Sequence, residues 1–262
     1  MAEMLKSWRN PVQLESRKFE HIVSLGYFCS VALELERFGL RDTSGPFDWV
    51  ISPWWGVCQL MNDGFSDLFM PDLFEQDPTI PEHYRNAKYG IAFYHDFDRW
   101  RPFGDQLPMV RDKYVRRIER FYENALEPTL FVRYVRDEAE LDNLTYTLPG
   151  IMGILRGFNR DSDIMLVGNR SDLGSGRIDF SFDPDRGDVV ARRFLDNDPL
   201  LAEKLVASYP CLKRKSNIAR YAAKEAAKRK EPAMRLFKLV GHRAKKSLVR
   251  PYVHSLVAGE AF

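Results

Sequence analysis

Short apolar runs alternate with longer stretches of helical spacing along most of this 262-residue chain, and no other feature restricts its fold as much. The clearest run is Thr129-Leu130-Phe131-Val132-Arg133-Tyr134-Val135, opened by Pro128 and composed as a buried strand. His21 to Gly26 and Ile164 to Gly168 have the same character, and Tyr89 to Phe97 returns to strand composition through Ile91 and Phe93. Between these runs the spacing predicts helices from Ser30 to Gly39, from Pro53 through Met61, from Val110 to Leu126, from Glu138 to Phe158 and from Asp198 to Tyr209. The third is amphipathic, with Val110, Tyr114, Ile118, Phe121 and Leu126 on one face. Pro149 and three glycines should break or kink the fourth. Phe65 to Arg85 holds Pro71, Pro78 and Pro81 and reads as a long ordered loop of lid type, and Ile178 to Phe182 as a further short strand. The alternation predicts an α/β fold of three layers, a mostly parallel sheet with helices on both faces.

Charge divides the chain. From Cys211 onward there are 14 Lys/Arg against 3 Asp/Glu, a net of +11; the preceding 210 residues hold 25 against 34, a net of −9. We therefore expect an N-terminal extension over 1–19, an α/β body over 20–210 and a basic helical tail over 211–262. Residues 211–250 suit an anionic membrane surface or another polyanion; nucleic acid ranks lower because no nucleic-acid fold accompanies the charge. The three cysteines, Cys29, Cys58 and Cys211, are odd in number and far apart, which predicts a reducing compartment, the cytoplasm. The start of the chain has no apolar h-region, and no stretch reaches the roughly 18 uncharged apolar residues of a membrane span.

Cys29 falls where the first apolar run gives way to a helix. Unpaired N–H groups and the positive end of a helix dipole favour thiolate there, and thiolate is the nucleophile. A thiol nucleophile needs a base. Of five histidines, His21 begins the first strand, roughly 20 Å from Cys29 by strand rise, and His242 and His254 lie in the tail. His83 sits in the proline-rich loop. His95 ends a strand; were that strand parallel to the first, the imidazole would share the edge of the sheet with Cys29. Asp96 can orient His95 only where the strand bends, because neighbouring side chains on a strand face opposite ways. Asp48, in Pro46-Phe47-Asp48-Trp49, is the other candidate third member.

Arg116, Arg133 and Trp49 are candidate substrate-binding residues. Arg133 interrupts an apolar strand and must be paired or reach a ligand, with Glu140 the expected partner. Phe47, Trp49, Trp54 and Trp55 otherwise read as core. The histidines lack metal-ligand spacing, no dinucleotide fingerprint is present, and Gly168 to Gly176 is a weak phosphate cradle, so no cofactor or metal is expected.

The ordered set Ser24-Leu25-Gly26-Tyr27-Phe28-Cys29, Pro46-Phe47-Asp48-Trp49 and His95-Asp96-Phe97, with Arg116-Arg117 and Phe131-Val132-Arg133, resembles a bacterial family of unknown function described as papain-like cysteine peptidases. The resemblance covers residues 20 to 170. It implies Cys29 as nucleophile and His95 as general base, leaves Asp48 or Asp96 to complete the set, and offers a papain-like α+β fold as the alternative architecture. It also implies a setting in surface-polysaccharide biosynthesis. Three functions follow as expectations. One is a thiol hydrolase or peptidase acting on an acyl substrate. The alternatives are a transferase or sugar-processing enzyme with a structural Cys29, or a non-catalytic module binding a glycan or peptide.

Overall fold

The computed structural model describes residues 14, 17–136, 138–167 and 194–228. The chain divides into two compact units, Met1–Ile218 and Ala219–Phe262.

The described residues of the first unit form two sheets. One is parallel: β1 (His21–Ser24), β6 (Thr129–Tyr134) and β7 (Asp163–Val167), in the order β1-β6-β7. The other is antiparallel: β2 (Val50–Ile51), β3 (Phe74–Gln76), β4 (Tyr84–Asn86) and β5 (Ile91–Phe93), in the order β2-β5-β4-β3. Helices are α1 (Ser30–Arg37), α2 (Trp54–Asn62), α3 (Phe103–Ala125), α4 (Glu138–Phe158), α5 (Phe194–Asn197) and α6 (Pro199–Ser208), with a 3-10 turn at Pro71–Leu73.

The parallel sheet is central because its strands are apolar on both faces. Every residue of β6 is buried. Alternation then sorts the side chains. Ile22, Leu130, Val132, Tyr134 and Val167 pack with α1, α5 and α6 through Val31, Leu35, Leu195 and Leu205. Val23, Phe131 and Val135 face the opposite layer, where α2, α3 and α4 contribute Val57, Phe121, Leu148 and Leu155. Three layers around a parallel sheet are thus present. The sequence reading needs one correction: strand order along the chain does not continue into a single parallel sheet, because β2 to β5 form the second, antiparallel one.

That second sheet is short-stranded and lined on its core face by aromatic rings. Phe74, Phe93 and Tyr84 meet Phe69, Phe97, Phe103 and Tyr114 at centroid separations from 4.6 to 6.2 Å, within the range in which edge and offset contacts stabilise. Residues 65–85 are therefore not a bare loop, since Phe74–Gln76 and Tyr84–Asn86 pair within them. Phe47 and Trp54 are core as expected, whereas Trp55 is 47% exposed. Pro149 sits inside α4 without ending it. Leu144, Leu148, Ile151 and Leu155 anchor one face of that helix, while Gly150, Gly153 and Gly157 face open space.

Residues 211–218 are helical and belong to the first unit. Arg214 donates to the Phe38 carbonyl, and Asn217 donates to the Gly39 carbonyl and Asp42. In the second unit residues 219–228 are helical, with Lys228 paired to Glu225. No helix of the described residues is long and apolar enough to cross a membrane. Gly168 to Gly176, Ile178 to Phe182 and the tail beyond 228 lie outside the described residues.

Candidate functional site around Cys29

Cys29 is the N-cap of α1, just past the carboxyl end of β1. No side chain caps that helix terminus, so the first-turn N–H groups keep their donor capacity. The preceding turn is fixed from several sides. The Leu25 N–H donates to the Val132 carbonyl, the Tyr134 N–H to Gly26, and the Ser52 N–H to Tyr27, at 2.8–3.0 Å. Gly26 has φ +77°, and a Cβ there would meet Ser52 Oγ at 2.2 Å, so both the turn and the close approach require glycine.

Arg133 completes this framework. Its buried guanidinium donates to the Leu25 carbonyl at 2.9 Å, to Ser52 Oγ at 3.3 Å and to Glu140. It lies 5.5 Å from the Trp54 ring centroid and 5.9 Å from that of Tyr27. Burial lowers its proton affinity, and the Glu140 carboxylate offsets only part of that loss. The expected Arg133–Glu140 pairing is present.

The thiol itself is half-buried. Burial pushes its pKa above the ordinary value, with its own backbone N–H opposing. At this helix terminus loss of water acts against the local N–H groups and on balance favours the thiol. Cys58 is pushed up to about 11 by burial, despite a hydrogen bond with Thr147 and the field of Arg133. Cys211 is exposed.

His95 lies two residues beyond β5, in the bend at 94–96, with its side chain exposed. β5 runs antiparallel to β2, so the shared-edge argument for bringing His95 to Cys29 does not hold. Among the described residues no hydrogen bond joins the two side chains. The strand does bend at Asp96, as any contact with His95 would require, but that carboxylate is taken by Lys113 and by the Tyr114 hydroxyl. Asp48 is fully buried and accepts from Arg41 at 2.5 Å and from the Gly45 N–H at 2.9 Å. Burial pushes its carboxyl up, while Arg41, Gly45 and Arg117 pull it back. Trp49 is half-buried, its ring 5.4 Å from the Arg41 guanidinium. Arg116 is exposed on α3. His83 stacks on Tyr94 at 4.1 Å.

One constellation was missed. His21 Nδ1 lies 2.9 Å from Asp42 Oδ2, and Tyr209 and Asn217 donate to the other oxygen of that carboxylate. Distance from Cys29 had set His21 aside. The available signal was Arg117, which falls between Tyr114 and Phe121 on the apolar stripe of α3, where a cation must meet buried partners. Among the described residues no cluster of His, Cys, Asp and Glu could hold a metal ion.

Residues 20–167 match the sequence profile of the family described as "Putative papain-like cysteine peptidase", over half of the chain. Among curated proteins, "Uncharacterized protein R408" of Acanthamoeba polyphaga mimivirus is 30% identical over 146 residues, covering 47% of this chain and 64% of that protein. The chain thus spans somewhat less than two thirds of that viral relative's length. No solved structure matches it.

Proposed function

The chain belongs to the family described as "Putative papain-like cysteine peptidase", and on that premise we propose a thiol hydrolase in which Cys29 attacks the acyl carbonyl of a peptide or related substrate. One observation carries the reading: Cys29 heads an uncapped helix at the carboxyl edge of the parallel sheet. His95 takes the thiol proton as the sulfur–carbon bond forms and the carbonyl electrons move to oxygen. The N–H groups of Cys29 and Ser30 hold that oxyanion. Collapse breaks the bond to the leaving group, which receives the proton from His95. Water, deprotonated by His95, then releases the acyl group and restores the thiol.

Catalytic hydrogen bonds are often long before substrate arrives, so in the proposed mechanism the resting pair is loose and His95 accepts the proton as the sulfur reacts. Asp96 and Asp48 act in this scheme as positioning residues. Asp96 ties the bend carrying His95 to α3, and Asp48 holds the turn leading into β2.

Iodoacetamide labelling followed by mass spectrometry tests the proposal. Cys29 should label faster than Cys58, and His95→Gln should slow Cys29 about tenfold while leaving exposed Cys211 unchanged. Cys29 labelling indifferent to His95→Gln would remove the pair.

Burial raises the proton affinity of Cys29, which fits a structural thiol; the second reading is then the transferase or sugar-processing enzyme. Full activity in Cys29→Ser would select it.

A further inference from the structure

The two compact units carry opposite charge. The second, residues 219–262, holds 11 Lys/Arg against 3 Asp/Glu, a net of +8. The first, residues 1–218, holds 28 against 34, a net of −6. The thiol chemistry uses no residue of the second unit and leaves its cations without a role.

Residues 219–228, the described part of that unit, are helical. Only Tyr221 and Glu225 are half-buried, and the other eight residues are exposed. Arg220, Lys224 and Lys228 recur at intervals of four, which sets them in one row along the helix. Ala219, Ala222, Ala223, Ala226 and Ala227 add no polar side chain to that surface. Lys228 pairs with Glu225 at 2.8 Å, with the lysine 60% exposed. An ion pair so open to water is weak and easily exchanged.

A row of exposed cations attracts any polyanion, and the neighbouring sequence narrows the choice. Large apolar side chains are interleaved with the remaining cations, in Leu236-Phe237-Lys238-Leu239-Val240 and in Leu248-Val249-Arg250. A merely solvated charged tail is poor in such residues. A nucleic-acid backbone is met by cations and polar donors, so aliphatic side chains gain little there. At a bilayer surface both kinds gain. Apolar side chains enter the boundary between headgroups and acyl chains, while Lys and Arg face the anionic headgroups. The same surface repels the acidic first unit, so the attraction belongs to the second.

We propose that the second unit docks this protein on the surface of an anionic phospholipid bilayer. Arg220, Lys224 and Lys228 supply attraction to the lipid phosphates, and the apolar side chains further along the chain add the hydrophobic share. Docking of this kind is independent of whether Cys29 is a nucleophile or a structural thiol.

Sedimentation of the full chain with vesicles tests the docking. Vesicles of phosphatidylcholine mixed with phosphatidylglycerol are compared with vesicles of phosphatidylcholine alone. The chain should pellet with the mixed vesicles at low salt, stay in solution with the neutral ones, and be released as sodium chloride is added. Replacing the row together, by Arg220→Gln, Lys224→Gln and Lys228→Gln, keeps good helix formers and should weaken binding about a hundredfold, at about fivefold per cation. Phe237→Ser should weaken vesicle binding about tenfold while leaving binding to a short DNA duplex unchanged. The lipid and salt dependence of the unaltered chain decides the matter should a variant misfold. Pelleting with neither vesicle, equal pelleting with both, or undiminished binding by the triple variant or by Phe237→Ser overturns the proposal. Tighter binding to the DNA duplex than to mixed vesicles at equal phosphate concentration overturns it in favour of nucleic acid.

Discussion

The two sheets of the first unit solve different problems. The parallel sheet packs against apolar residues on both faces, and its central strand β6 leaves nothing exposed. The antiparallel sheet has strands of two or three residues, a core face of stacked rings, and an outer side on which Glu75 and Arg85 are exposed. The first can hold a turn rigidly, and it carries Cys29. The second ends in the bend where His95 leaves β5. In the proposed enzyme the nucleophile is set by one sheet and the base by the other, so their meeting depends on how the two sheets are joined. The Ser52 N–H to Tyr27 carbonyl bond is one such joint.

Substitutions can probe this contrast. The largest effect should come from Arg133→Met, which leaves the Glu140 carboxylate, 8% exposed, without its cation. Stability should fall by about 3–5 kcal/mol in urea unfolding, with much of it recovered when Glu140→Leu is added. Gly26→Ala forces a left-handed conformation on a Cβ aimed at Ser52 Oγ and should cost about 2–3 kcal/mol. The same change should slow Cys29 alkylation if the turn sets the thiol.

Next in size is an acid response. Burial would raise the Asp42 carboxyl, but hydrogen bonds from His21, Asn217 and Tyr209 bring it from 3.8 to about 2. Because the folded value is the lower one, its stabilisation is present above the ordinary carboxylate range and is lost as pH falls through about 2. The contribution is about 2 kcal/mol, and Asp42→Asn should flatten that part of the stability–pH curve. The smallest effect is Asp96→Asn. It removes the charge facing half-exposed Lys113 while keeping an acceptor for Tyr114, and should cost about 1 kcal/mol. A drop in Cys29 reactivity larger than that loss implies would mark the bend as part of the catalytic geometry.

What the sequence disclosed follows the same division. β1, β6 and β7 were legible because their sequences are mostly apolar runs, and α3 because its stripe is long. β5 was recognised as a strand, but its partners were not, since pairing Ala92 with Ile51 depends on a contact far along the chain. Phe74-Glu75-Gln76 and Tyr84-Arg85-Asn86 are too short and too polar to announce a hairpin. The pairing of Arg133 with Glu140 was predictable because both sit at the junction of β6 and α4. The capture of Asp96 by Lys113 and Tyr114 was not, because it spans seventeen and eighteen residues.

β1 lies at the margin of its sheet, and residues 41–48 run along its outer side, held by the Arg41–Asp48 bond. That segment doubles as a guard against self-association. Prised away, it would bare a row of backbone donors and acceptors able to recruit the strand of another molecule. Damage to Arg41 should therefore first show itself as turbidity in concentrated solution, before any loss of helical signal.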